Sequence, residues 1–112
     1  MEESERTPET GVAAVTRYDF VSRLSDLPFV DAVYLFGSRA RGENAPRADI
    51  DLAVVAPRAD ERGWDAVMDI VEDADTLLRI DCVRLDTLAA DDPLRLAIER
   101  DKVALFRREQ RA

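Results

Sequence analysis

The sequence predicts an α+β fold, a small mixed sheet of about four strands with helices packed on one side. Four short apolar runs have the length and composition of strands, and they lie at 30–36, 50–56, 79–85 and 103–106. Segments with apolar residues at helical spacing separate them, and they lie at 15–27, 60–78 and 93–100. The chain of 112 residues has the size of one domain with one core.

In the first half of the chain, punctuating residues set the element boundaries. The first helix ends at Pro28, and the strand 30–36 follows it. Ser38 is expected to cap a short helix that Gly42 ends. The segment 43–48 contains Asn44 and Pro46, so it predicts an exposed loop.

In the second half, proline and aspartate punctuate the pattern in the same way. Pro57 ends the strand 50–56, and the helix 60–78 carries Trp64 on its core face. In the strand 79–85, alternation places Asp81 on the face opposite Cys82. Asp91 or Asp92 before Pro93 marks the start of the last helix, with the proline in its first turn. We therefore expect a flexible segment at 1–14, one domain at 15–106 and a charged tail at 107–112.

The composition excludes several classes of function. The net charge of −8 argues against an extended surface for duplex nucleic acid, although a bound metal ion would still let a nucleotide bind. The absence of histidine excludes Ser-His-Asp and Cys-His catalysis and histidine-ligated zinc. A single cysteine allows no internal disulfide, and no apolar run is long enough to span a membrane. The acidic N-terminus is unlike a secretory signal, so we expect a cytoplasmic protein.

Two aspartates stand out in the second predicted strand. Asp49 and Asp51 are two residues apart, so their side chains point to the same face of the strand. Neighbouring carboxylates repel each other and are costly to bury without a partner. A divalent cation such as Mg²⁺ relieves both problems, since it binds between carboxylates and substrate phosphates. The alternative is a pair of solvated aspartates at a sheet edge.

Upstream of them, Gly37 and Ser38 follow directly after the first apolar strand. Glycine lets the backbone approach a phosphate closely, and the start of a following helix offers free N–H groups to an anion. The alternative is a simple turn. Gly37, Ser38, ten intervening residues, Asp49, Ile50 and Asp51 together form the pattern G-S-x10-D-x-D.

This pattern resembles the signature of the DNA polymerase β-like nucleotidyltransferase superfamily, and the flanking FGSRARG and DIDLAVV resemble its minimal (MNT) branch. The resemblance implies two Mg²⁺ ions on Asp49 and Asp51, with ATP or another nucleoside triphosphate as substrate. It also implies a third acidic residue on a neighbouring strand. Asp81 is the candidate and Asp86 the second choice. Asp81 would complete the metal ligands and accept a proton from the attacking hydroxyl.

The resemblance further implies that Gly37 and Ser38 bind the β- and γ-phosphates. Arg39 and Arg41 point in different directions on a short helix, so at most one faces the nucleotide. Arg39 is the candidate because it follows the serine directly. The alternative for Arg39 is a solvated helix arginine.

Members of the MNT branch act as antitoxins of helical HEPN ribonuclease toxins, some by transferring AMP from ATP to a tyrosine of the toxin. The first hypothesis is therefore a protein adenylyltransferase with a HEPN partner. The second is a nucleotidyltransferase for a small molecule or an RNA end, and the third is an antitoxin that neutralises its partner by binding alone. A homo-oligomer is a further expected form of assembly.

Overall fold

The computed structural model describes Val15 and the residues 18–43 and 49–108. Their helices are α1 (Phe20–Ser25), α2 (Ser38–Arg41), α3 (Glu61–Glu72) and α4 (Pro93–Asp101). Their strands are β1 (Ala32–Phe36), β2 (Ile50–Val55), β3 (Ile80–Arg84) and β4 (Val103–Arg107). A short 3-10 helix, Leu85–Thr87, follows β3.

The four strands form one mixed sheet in the order β3-β2-β1-β4. Strand β1 pairs antiparallel with both β2 and β4, whereas β2 and β3 are parallel. The register sets Phe36 opposite Asp51, and Asp51 in turn opposite Asp81. Asp51 therefore has the end of β1 on one side and an aspartate of β3 on the other.

Side-chain alternation divides the sheet into two faces. On the first, the helical face, α1 and α3 cover fully buried residues of the two central strands: Val33, Leu35, Ile50, Leu52 and Val54. The second, the site face, carries Tyr34, Phe36, Asp51, Ala53 and Asp81. Ile98 of α4 and Leu85 pack with Ala53 and bury the middle of the site face.

The predicted α+β class is confirmed, with a four-stranded mixed sheet. Helices α1 and α3 lie on one side of the sheet as expected, and α4 contributes Ile98 to the other side as well. Each strand lies within two residues of its predicted bounds. Asp92 caps α4 by accepting from the Leu94 N–H at 2.8 Å, directly before Pro93 as predicted.

Two helices are shorter than predicted. Helix α3 ends at Glu72, six residues before the expected end at Leu78. Leu77 is fully exposed, so its apolar character contributed to a helical pattern without any burial. The first helix was expected at 15–27, but residues 18 and 19 form a turn, and α1 begins at Phe20. The periodicity did identify its buried face, since Val21 and Leu24 are buried.

The C-terminal strand is one residue longer than predicted, because Arg107 belongs to β4. Arg108 holds the chain against α1: Nε donates to the Val30 carbonyl at 3.0 Å, and Nη2 donates to the Ser25 and Leu27 carbonyls at 3.1 and 3.0 Å. The rest of the expected tail, the segment 1–14 and most of the predicted loop 43–48 lie outside the described residues. Within the described part of the chain, no helix is long and apolar enough to span a membrane.

Candidate active site

The turn between β1 and α2 depends on Gly37. Its φ of 78° and ψ of −158° lie in a region that essentially only glycine adopts. Gly37 is the N-cap of α2, and its carbonyl accepts from the Arg41 N–H at 3.2 Å. Ser38 is thus the first helical residue, and the predicted side-chain cap is absent from this turn. Gly42 ends α2 in the left-handed conformation, as predicted.

Gly37 also lies directly against Asp51. A methyl group added at Gly37 would collide with Oδ2 of Asp51, even before the backbone strain is considered. The pairing of Phe36 with Asp51 explains this closeness, because it brings the first residue after β1 over the carboxylate. Gly37 is therefore required both by its conformation and by the space that the carboxylate occupies.

The predicted acidic residues meet at one end of the site face. Asp51 and Asp81 are direct neighbours on parallel strands, and Asp49 stands exposed just before β2. Burial raises the pKa of Asp51, and the charges of Asp81 and then Asp49 raise it further, whereas Arg39 lowers it. The carboxylates of Asp49 and Asp81 therefore interact electrostatically with Asp51, and a cation beside Asp51 would favour its charged form.

The chemistry of this cluster fits a divalent metal ion, since the residues offer several carboxylate oxygens and repel one another without one. Asp81, whose side chain is 44% exposed, is paired with Arg79, with 3.3 Å between Oδ1 and Nε. In the described residues, no three acidic or other ligand side chains are gathered as closely as a metal ion requires.

Arg39 is buried in the structure, against the alternative interpretation of a solvated arginine. It is only 2% exposed, so it is not a solvated helix arginine. Its Nε donates to the backbone carbonyl of Asp49 at 3.3 Å, which ties α2 to the start of β2. The nearby guanidinium also lowers the pKa of Asp51. Arg39 thus contributes a buried positive charge near Asp51.

Asp86, the second choice for the third acidic residue, lies at the opposite end of β2. Its Oδ1 accepts from the Ala56 N–H at 2.8 Å, and its Oδ2 accepts from Arg84 Nε at 3.2 Å. Because β2 and β3 are parallel, a residue after β3 meets the end of β2, whereas Asp81 meets its start. Both oxygens of Asp86 are engaged in fold-stabilising bonds, away from Asp51.

A groove that the sequence did not predict opens beside Asp49. It has a volume of about 990 Å³, and its lining consists of Tyr18, Asp49 and residues 74–79. Most of the lining residues belong to the connection between α3 and β3. This connection is long because α3 ends at Glu72. A sequence pattern that extended α3 to Leu78 could not reveal it.

A comparison against protein families identifies the family of this chain. The family model described as polymerase beta nucleotidyltransferase matches residues 20–111 of the chain. The chain belongs to this family. The Gly37-Ser38 turn and the aspartates at 49, 51 and 81 lie within the matched residues. Among curated proteins, no match was found.

Solved structures give the same fold. A chain from a toxin–antitoxin complex with AMP-PNP is 24% identical, with a TM-score of 0.59 over 79% of this chain and 70% of that one. A nucleotidyltransferase from Sulfolobus solfataricus, described as putative, is 25% identical, with a TM-score of 0.53 over 80% and 76%. A complex of tri-AMPylated Shewanella oneidensis HEPN toxin with MNT antitoxin gives 22% identity and a TM-score of 0.51 over 77% and 66%. The domain is therefore similar to MNT antitoxins found with HEPN toxins.

Proposed function

We propose that this chain is an Mg²⁺-dependent adenylyltransferase and antitoxin, which transfers AMP from ATP to a tyrosine of a HEPN toxin in the cytoplasm. The proposal rests on the position of Asp51. Asp51 lies opposite Asp81 in the sheet and in contact with Gly37. Burial and its acidic neighbours raise its pKa. Such a site gains most from a cation and a phosphate at the same place.

The residues of the site would have three tasks. Gly37 and Ser38 would bind the β- and γ-phosphates through backbone N–H groups and the serine hydroxyl. Asp49, Asp51 and Asp81 would hold two Mg²⁺ ions, which supply charge stabilisation for the triphosphate and lower the pKa of the attacking hydroxyl. Arg39 would support the nucleotide site next to them, since its Nε holds the backbone carbonyl of Asp49.

In the proposed reaction, the oxygen of a tyrosine hydroxyl attacks the α-phosphorus of ATP. The bond from that phosphorus to the bridging oxygen breaks, and pyrophosphate leaves. Asp81 accepts the hydroxyl proton, for which its partial exposure is suitable. Most of the rate gain would come from the position of the reactants and from preorganised charge.

The choice of acceptor rests on the related structures. One of them contains a tri-AMPylated HEPN toxin, and another contains AMP-PNP in a toxin–antitoxin complex. These structures support a HEPN protein as the acceptor, and the resemblance to the MNT branch suggests that the modified residue is a tyrosine.

The decisive experiment measures the intact mass of a HEPN protein encoded beside this chain, after incubation with the chain, Mg²⁺ and each of the four nucleoside triphosphates. We expect a gain of one or more AMP units with ATP, and none with the Asp49→Asn/Asp51→Asn double variant. Tight complex formation without any mass gain would show neutralisation by binding alone and would overturn the catalytic proposal.

A further inference from the structure

The helix that follows the phosphate turn is too short to hold itself in place. Helix α2 has four residues, and helices of that length are unstable in isolation. Its position must come from contacts with the rest of the domain. On the inner side, buried Arg39 donates to the Asp49 carbonyl. On the outer side, the contact is made by Arg41.

Arg41 contacts the last residue of α4. Its Nη1 donates to Asp101 Oδ2 at 2.8 Å, and its Nε donates to Glu43 Oε1 at 2.9 Å. Asp101 is separated from Arg41 by 60 positions in the chain, yet its side chain is only 10% exposed. Arg100 donates to both oxygens of the same carboxylate, from Nε at 3.0 Å and from Nη2 at 3.3 Å.

The topology of the sheet explains which two segments this ion pair joins. Strand β1 leads directly into Gly37 and α2, while α4 leads through Lys102 into β4. Because Leu35 of β1 pairs with Val103 of β4, the start of β4 lies beside the end of β1. The Arg41–Asp101 pair therefore joins the two segments at the edge where the phosphate turn begins.

We infer that Asp101 is a positioning residue, which holds α2 through Arg41 and so sets the phosphate turn against Asp51. This inference rests on the proposed function, because it assigns β- and γ-phosphate binding to that turn. Asp101 contacts no substrate itself. Its loss should weaken binding of ligands that carry these two phosphates and spare ligands that lack them.

The test compares the dissociation constants of ATP and AMP, measured by titration calorimetry with Mg²⁺, for the wild type and Asp101→Asn. We expect the preference for ATP over AMP to fall by at least about fivefold, the lower end of typical coupling between sites. The matched control is Glu99→Gln, which removes one negative charge from the same helix and leaves the Arg41 contact intact. The control should keep the wild-type preference.

A double-mutant cycle separates a positioning role from general destabilisation. If the two residues act as a pair, Arg41→Gln lowers the preference as Asp101→Asn does, and the double variant loses no more than either single one. Arg41 is partly exposed, so its variant carries the same test if Asp101→Asn does not fold. An unchanged ATP preference in either variant, or equal losses for ATP and AMP, would overturn the inference. Failure of the wild type to bind ATP would instead overturn the proposed function.

Discussion

At the scale of single residues, the surroundings of Asp51 disfavour its charged form. Burial and the carboxylates of Asp81 and Asp49 all favour its protonated form. Of the described residues, only Arg39 acts in the opposite direction, by lowering the pKa of Asp51. Residues whose charged form is disfavoured by the fold are typical of functional sites, because a bound cation or substrate can stabilise that charged form.

The raised pKa of Asp51 predicts that Asp51→Asn stabilises the metal-free protein at neutral pH. A carboxyl group with a raised pKa in the folded state binds its proton more tightly there than in the unfolded chain, so stability falls as the pH rises through that pKa. The melting temperature in EDTA should therefore be higher for Asp51→Asn than for the wild type at pH 7. The difference should vanish at acidic pH, where Asp51 is protonated in both states.

The control for this experiment is Asp65→Asn, which removes an exposed carboxylate from α3. Its melting temperature should stay close to that of the wild type. A lower melting temperature of Asp51→Asn at pH 7 would mean that the carboxylate stabilises the metal-free fold, contrary to the electrostatic argument.

A second residue-scale prediction concerns the two glycines that enclose α2. Gly42→Ala should cost about 1–2 kcal/mol through its left-handed conformation alone, since no described residue lies within 4 Å of the added methyl group. Gly37→Ala adds a collision with Asp51 to a more restricted conformation. We expect it to abolish AMP transfer and to destabilise the domain more than Gly42→Ala, as measured by urea unfolding. Equal effects of the two variants would show that the collision is relieved without cost.

At the scale of elements, the parallel pairing of β2 and β3 separates two acidic residues that are close in sequence. Asp81 lies level with Asp51, whereas Asp86 lies beyond the end of β3 and bonds to Ala56. Arg84 links this end further: it donates to Asp86 and to the Ala56 and Ala59 carbonyls, and it stacks on Trp64 at 5.3 Å. One strand thus carries a site residue at its start and a structural bond network at its end.

This separation predicts opposite phenotypes. Asp81→Asn should remove AMP transfer with little change in stability, because the side chain is partly exposed. Asp86→Ala leaves the Ala56 N–H without its acceptor and should cost about 1–3 kcal/mol, while activity below the melting transition persists. Activity assays and urea unfolding of both variants test this. Loss of activity in a folded Asp86→Ala protein would reopen the choice of the third acidic residue.

Strand β3 also contains the cysteine, Cys82, which faces the helical side. Burial raises the pKa of its thiol to about 12, so the reactive thiolate is scarce at pH 8. We expect labelling by iodoacetamide at pH 8 to be slow in the native protein and fast in urea. Labelling of the native protein at the rate of a free thiol would show that β3 opens readily from the sheet edge.

At the scale of the whole molecule, the site is assembled from segments far apart in the chain. The turn at 37–38, the aspartates at the start of β2 and Asp81 of β3 meet only when the sheet has formed. Ligand binding at such a site stabilises the complete fold, because the unfolded chain has no equivalent arrangement.

Accordingly, Mg²⁺ with a non-hydrolysable ATP analogue should raise the melting temperature of the wild type. At a concentration about 100 times the dissociation constant, the gain is about 2.7 kcal/mol. The Asp49→Asn/Asp51→Asn variant should show no shift under the same conditions. An equal shift in both proteins would place the ligand away from these carboxylates.

The local chemistry of the site could be predicted from the sequence. Spacing alone set Asp49 and Asp51 on one face of a strand, and the glycine after an apolar run indicated a tight turn. The α+β class followed from alternating periodicities, and the cap before Pro93 from its residue types. All of these depend on interactions within a few residues, which the sequence states directly.

The tertiary structure alone decided which distant segments meet. Strand order placed Asp81 beside Asp51 and moved Asp86 to the other end of the sheet. Packing buried Arg39, joined Arg41 to Asp101 and ended α3 early, which opened the groove beside Asp49. Periodicity specifies which face of an element is apolar but not which element covers it, so these contacts depend on the folded arrangement of the whole chain.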